Sequence, residues 1–514
     1  MVWLLESLIP RPLSRIGGIS FGMPFIKWSF DAMKNRRGLL QLEGLTERIV
    51  PAVAIRAIDG DLVISGIHNT GTLTINVTGD NEVTINDGGT KNRGTYAVDG
   101  DLILNLSNRN DTVVINFTTD SRLDGSILAN LGNGNDSFTI NNSAGLDAGI
   151  FGSLVVDGGN GSDSVIIANT GAAQLLTIEG ALNFNGGAGL DILSINGDNA
   201  GTGRATFPQP VSPITIGGGL TMTRVNTVNV ADDASAATAI DVTIDNNTVF
   251  NASADKLIAN TVVVGGTKGD VTIAGALTVT GGQGTDGFTL TNVLLVDVVP
   301  AEDTVAEVNF SLDKGANTLT FDGVEMGIEG TDVDFVYVGG VGADKIAWAT
   351  GDNTFSGDVT ITLGKGNNEV DIDLGAGVAT GVPVVAGNLT ITGGDNTDNI
   401  DLNDTTVFGL STFTLGNGTN DLDSSGDFDG GLSYVGGNGI DTVLLSNGDG
   451  LAGDVSISLG ANDDRVVISN TTVVSATSLT IDFGVGGIDD VTFDTIFLDL
   501  VTLLNIGSGD TYTT

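Results

Sequence analysis

The 514-residue sequence has no cysteine and a single histidine. The first absence excludes a disulfide framework, thiolate metal sites and thiol nucleophiles. The second makes histidine-based metal centres and Ser-His-Asp triads hard to build. His68 sits in the turn-like stretch Gly66–Gly71 and reads as a solvated loop residue. Aromatic residues are only 5% of the chain. Basic residues are few, 20 against 63 acidic ones. Seven of the 20 lie in the first 50 residues against four acidic ones, so that segment is +3 and the remaining 464 residues carry −46. A body with 13 basic residues cannot neutralise a phosphate backbone, which excludes nucleic acid as a partner. No apolar run is long enough to span a bilayer.

What the chain does contain is glycine, 76 residues of it, and a hydrophobic content of 40% with mean hydropathy +0.22. Disorder requires low hydrophobicity as well as high charge, so the chain folds. The apolar residues are mostly Val, Ile and Leu, flanked by Thr, Ser, Asn and Asp. That is strand stock separated by turn residues.

From about residue 58 one pattern recurs. A short alternating strand leads into a six-residue glycine-rich turn that closes in Asp or Asn, and a second alternating strand follows. Residues 152–167, 275–290, 357–372 and 453–468 each show it. In 388–402 the apolar residues Leu389 and Ile391 alternate with polar ones, the turn Gly393–Asp398 follows, and Ile400 and Leu402 resume the phase. The closing residues Asp136, Asp163 and Asp191, and later Asn368, Asp398, Asp421, Asp441, Asp464 and Asp490, recur every 20–30 residues. Such a unit buries almost nothing alone and needs a copy above and below. The expected fold is therefore all-β: a parallel β-helix or β-solenoid of roughly 18 coils, about 85 Å long at ~4.8 Å per coil, over residues 53–514. The pattern blurs over 200–260 and 291–335, where loop insertions, a kink or a junction are expected. A string of β-sandwich modules would need repeats near 100 residues and more aromatic core.

Residues 1–52 differ in composition and read as an export leader or N-terminal extension. They hold Trp3, Trp28, Pro10, Pro12, Pro24 and the pair Arg36-Arg37. The segment ends in Leu42-Glu43-Gly44-Leu45-Thr46-Glu47-Arg48-Ile49-Val50-Pro51-Ala52. This resembles the Leu-Glu-x-Leu-Glu-x-Arg-x-x-Pro-Ala leader of large exported surface proteins of planctomycete-type bacteria. Leu42, Glu43, Leu45, Arg48, Pro51 and Ala52 match, and Thr46 replaces the second glutamate. The resemblance implies export, a secreted or bacterial cell-surface location, and processing near Ala52.

Four turns, at 158–166, 186–194, 339–347 and 436–444, match Gly-Gly-x-Gly-x-Asp-x-apolar-x. They resemble the nonapeptides of calcium-binding RTX β-rolls, where turn carbonyls and the aspartate carboxylates of successive repeats hold Ca²⁺. Carried over, the resemblance makes Asp136, Asp163, Asp191, Asp286, Asp344 and Asp441 calcium ligands. Unlike the RTX nonapeptides, these never run in tandem, which favours the alternative of an Asp/Asn ladder capping tight turns.

β-Helices also house polysaccharide lyases and glycosidases. A lyase of that architecture needs a basic residue near clustered carboxylates, and the basic residues of the body are scattered singly. The 59 acidic residues of the body leave a glycosidase pair open, but Trp348 is the only tryptophan after residue 50. No glycine-rich turn is followed by Gly-Lys-Ser/Thr. The expectation is a non-enzymatic extracellular structural protein that forms a fibre or surface layer by end-to-end self-association. The alternatives are a cell-surface adhesin that binds glycans or matrix, and a carbohydrate-active β-helix. Self-association is expected at the solenoid ends, because Ile496–Ile506 is apolar and strand-like.

Overall fold

The computed structural model describes residues 53–513, except for 67–70, 89–90, 144–146, 171–174, 198–211, 233–240, 253–259, 268, 297–305, 328–330, 349–352, 374–384, 447–450, 470–477 and 495–500. His68 and the leader lie outside the described residues. The chain divides between Val50 and Pro51 into two units, and every described residue belongs to the second.

That unit is a parallel β-helix with three faces, and no described residue is helical. Each coil runs through face C, for example Ala148–Ile150, then face A, Leu154–Asp157, then face B, Ser164–Asn169. The next coil repeats the course with Leu176–Ile178, Leu182–Asn185 and Ile192–Ile195, each pairing in parallel with its predecessor. Among the described residues face A has 18 strands, of which the first is antiparallel, leaving 17 coils, in line with the roughly 18 expected. Residues 82–97 form antiparallel strands and add no coil.

Alternation builds the core. Along Leu154–Asp157 the inward Leu154 and Val156 are buried, while Val155 and Asp157 are not. Parallel register then stacks like on like. On face B one inward column runs Val165, Leu193, Val228, Val262, Phe288, Leu319, Ile346, Val370, every member at most 5% exposed. From the seventh coil aromatic rings in this interior contact one another: Phe288 lies 5.6 Å from Phe250 and 5.5 Å from Phe310, and Trp348 stacks on Phe355 at 4.2 Å and 11°. Phe321, fully buried, touches Phe310, Phe335, Trp348 and Phe355. Phe321→Ala should therefore cost about 3–5 kcal/mol, read as a lower urea midpoint by the fluorescence of the neighbouring Trp348.

Among the described residues the strand ladders run in register through 200–260 and 291–335. Face A pairs in register from Leu220 through Thr248, Leu277, Val308 and Phe335 to Val359. The blurring comes from insertions at corners. Eighteen residues separate Ile195 on face B from Ile214 on face C, where a single residue separates Thr291 from Val293.

The two ends differ. At the start, Ala54–Ile58 adds antiparallel to Asp61–Ser65, and Glu82–Asp87 and Lys91–Ala97 add antiparallel beyond Thr72–Gly79. The outermost strand carries Lys91 and Arg93, and the pairing shifts register at Ile85/Asn86. Charge and a bulge are the devices that keep an edge from pairing further. At the other end, Val501–Leu504 and Thr511–Thr513 each pair on one side only among the described residues.

Candidate functional site

The turn between faces A and B carries the motif, and in successive coils its closing residues stack in one file. From Asp111 to Asp510 the file has sixteen members: Asp111, Asp136, Asp163, Asp191, Asn226, Asn260, Asp286, Asn317, Asp344, Asn368, Asp398, Asn420, Asp441, Asp464, Asp489 and Asp510. In each step the side-chain Oδ1 of one coil accepts a hydrogen bond from its counterpart in the preceding coil. The donor is the backbone N–H in most steps: Asp136 N donates to Asp163 Oδ1 at 2.8 Å, and Asp163 N to Asp191 Oδ1 at 2.8 Å. The side-chain amide donates at Asn226, 3.3 Å to Asn260, and at Asn368, 2.7 Å to Asp398. A second, shorter file at the corner between faces C and A has the opposite sense. There Asp61, Asp101, Ser126 and Ser153 accept from the following coil.

All six aspartates singled out by the RTX resemblance belong to the first file, and all are at most 2% exposed. Sequence spacing missed Asp111, Asn226, Asn260, Asn317 and Asp510. It also placed two members one residue late. The file runs through Asn420 and Asp489, while Asp421 and Asp490 face outward. The signal that finds them is strand phase: a file residue stands two positions before the first inward apolar residue, as Asp163 before Val165 and Asn420 before Leu422.

Each motif glycine has a steric reason. The carboxylate of the closing aspartate folds back over its own turn, so that a Cβ on Gly158 or Gly186 would stand 2.8 or 2.7 Å from Oδ2 of Asp163 or Asp191. The third glycine abuts the coil below. A Cβ on Gly161 would meet the carbonyl of Gly134, and one on Gly189 that of Gly161, well inside contact distance.

Burial pushes these carboxyls up. Asp136 and Asp191 are raised to about 7 and Asp163 to about 6, burial being the largest cause and neighbouring carboxylates adding to it, against the backbone hydrogen bonds that lower them. Asp464 is raised to about 7, and Asp286, Asp344, Asp398, Asp441 and Asp489 are raised, all chiefly by burial. Oδ2 of Asp286 and Asp441 accepts a turn amide, from Gly282 at 3.0 Å and Gly437 at 3.3 Å. Oδ2 of Asp136, Asp163, Asp191 and Asp464 is buried with no hydrogen-bond partner. A proton on such an oxygen removes the cost of burying an unpaired charge.

Calcium takes six to eight oxygens. Here each coil contributes at most one carboxyl to the file, its Oδ1 committed to the ladder and, as at Asp163 and Asp191, its Oδ2 packed against a glycine. Among the described residues no group of three or more His, Cys, Asp or Glu is placed to hold a metal. The ladder and the packing against glycine account for the arrangement of these carboxyls. In a thermal melt, CaCl₂ and NaCl matched for ionic strength should raise the midpoint equally, since both relieve acidic repulsion. A rise specific to Ca²⁺ that EDTA reverses would restore the six aspartates as ligands.

No protein-family model, curated protein or solved structure matches the chain. No helix among the described residues is long and apolar enough to cross a membrane.

Proposed function

We propose that the chain is an exported extracellular structural protein that self-associates, its β-helix acting as a rigid spacer and not as a catalyst. Export rests on the leader resemblance. Stiffness follows from the unbroken stack of coils, each tied to the next by backbone ladders and by the Asp/Asn file.

The observation that carries self-association is the last described coil. Among the described residues Val501–Leu504 and Thr511–Thr513 pair on one side only, with Leu504, Ile506 and Tyr512 at 44%, 50% and 60% exposure. An exposed apolar edge is a template for another chain. The opposite end presents antiparallel strands with Lys91 and Arg93 and a register shift, which disfavours strand addition there. Leu504→Lys with Tyr512→Lys should abolish particles longer than one β-helix in negative-stain electron micrographs while leaving the strand spectrum intact. A variant starting at residue 51 that assembles normally takes the leader out of the contact. A monomeric chain that binds glycans or cells would instead make this an adhesin.

A further inference from the structure

The outward side of face A carries two long columns without charge, flanked on one side by Glu307 and Asp334. Along each four-residue strand of this face the first and third residues point inward and the second and fourth outward, which gives two outward columns. In the eleventh to thirteenth coils these are Thr360, Thr390, Thr412 and Thr362, Thr392, Thr414, aligned in register. Followed through the pairings, the columns run from Asn183 and Asn185 to Ser456 and Ser458 over eleven coils. All twenty-two positions are Thr, Ser, Asn or Val, and none is buried. The charges resume at the borders, where Asp157 precedes Asn185 and Asp482 follows Ser458 in the same column.

This is unexpected in such a chain. Charged residues are 16% of the sequence, so three or four of twenty-two positions would be charged by composition alone, and more on a solvent-facing surface. Strand propensity favours threonine on any outward position, but it does not discriminate between faces. The outward side of face B over the same coils carries Lys345, Glu369, Asp371, Asp401, Asp421 and Asp423. Face A keeps two columns neutral over eleven coils, whereas the outward column of face C, Thr177, Thr215, Thr243, Thr272 and Leu294, is neutral for five and then reaches Glu325.

We propose that face A is the lateral interface for a second copy of this chain, the two faces meeting sheet against sheet. This deepens the self-association reading and rests on it. Eleven coils at ~4.8 Å and a strand of four residues at ~3.3 Å make a patch of about 50 by 13 Å. The flat area is about 700 Å² per copy, or about 1,400 Å² in a pair, within the roughly 1,200–2,000 Å² of a stable interface. Two bodies of −46 can approach closely only where no carboxylate has to be desolvated, and the two columns meet that condition. Val338 and Val435, 42% and 40% exposed, and the threonine methyls supply apolar contact. The hydroxyls pair across the interface directly or through water. Because the same patch serves on both copies the contact is isologous and closes as a two-fold dimer. Repulsion between the acidic remainders makes the dimer tighter at higher ionic strength.

Sedimentation velocity on the full chain tests this, at physiological and raised salt, with Thr392→Asp/Thr414→Asp and Leu504→Lys/Tyr512→Lys alongside. The wild type should sediment at no less than twice the 52.2 kDa chain mass, more completely as salt rises. The face variant should lose this salt-strengthened association and keep only contacts through its open end, with an unchanged strand spectrum, and the end variant should remain dimeric. Thr360→Glu/Thr390→Glu repeats the reading if the first pair misfolds. Association lost in the end variant and kept in the face variant overturns the face assignment while preserving self-association. A wild type that stays monomeric at high concentration and salt overturns both. A monomeric wild type that binds microcrystalline cellulose, with binding lost in the face variant, gives the surface to a neutral carbohydrate solid and overturns the second copy as its occupant.

Discussion

Between pH 8 and pH 4.5 the β-helix should become more stable, not less, and replacing three buried aspartates by asparagine should remove much of that dependence. Asp136, Asp163 and Asp191 titrate at about 7, 6 and 7 in the folded chain, against 3.8 for an unperturbed aspartate. A folded value raised above the unfolded one means that the native state binds more protons. Its stabilising contribution is complete below about pH 4, falls as pH rises through the window from 4 to 7, and is gone above it. A rise of one pH unit in such a titration corresponds to about 1.4 kcal/mol, so several such groups move stability by several kcal/mol. The groups facing these carboxyls all have the same sign: Asp111 and Asp163 beside Asp136, Asp157 beside Asp163, and Asp163 beside Asp191. No cation stands among the causes that move them. Relief of the general repulsion among the 59 acidic residues of the body acts in the same direction, so the wild-type slope alone does not isolate the file. Asp136→Asn/Asp163→Asn/Asp191→Asn does. Five file members are already asparagine, and their Oδ1 accepts the same ladder bond. The triple variant should melt well above wild type at pH 8 and close to it at pH 4.5. Equal melting at pH 8 would mean that the carboxyls are not carrying the cost assigned to them. A variant that melts below wild type in calcium alone would point back to metal.

Much of this architecture is legible in the sequence because a solenoid repeats its local physics. Alternation such as Leu389-Thr-Ile-Thr392 shows a strand with one buried face, and the recurrence of the turn shows that such strands stack. Face C escapes this reading. Its strands are two to four residues long, as Glu325–Met326 and Ala148–Ile150 are, too short for alternation to show. The antiparallel strands at the start also escape, because Glu82–Asp87 alternates like any coil strand and only pairing distinguishes its direction. The glycine motif shows the opposite difficulty. Gly-Gly-x-Gly-x-Asp looks like a ligand loop, yet a carboxylate folded over the first glycine and a carbonyl beneath the third account for those residues by packing. The neutral face was legible too, since Thr390 and Thr392 were visibly outward. It means something only when the register shows eleven neighbours equally uncharged.

Gly189→Ala should be among the most damaging single substitutions available, and Gly486→Ala a mild one, although both glycines lie in the same kind of turn. Gly189 has φ of +144° and Gly486 +85°, so both sit where an L side chain is strained, at about 1–3 kcal/mol. Only the surroundings differ. A Cβ at Gly486 has nothing within 4 Å, whereas one at Gly189 runs into the backbone carbonyl of Gly161 in the coil below. A carbonyl cannot step aside as a flexible side chain can. It is held by its own ladder, in which Asn160 N–H donates to Gly132 and Gly161 N–H to Ala188. Accommodating the methyl means spreading the fourth and fifth coils, which breaks face-A and face-B hydrogen bonds together and strains the bond from Asp163 N to Asp191 Oδ1. Coils contact only their neighbours, so the damage stays local in a one-dimensional stack. Hydrogen exchange should accelerate around residues 154–195 in Gly189→Ala and remain at wild-type rates beyond about residue 300. In Gly486→Ala the change should be confined to the last coils and correspond to about 1 kcal/mol or slightly more. Equal protection in the two variants would mean that stacking against the coil below does not govern the third glycine of the turn.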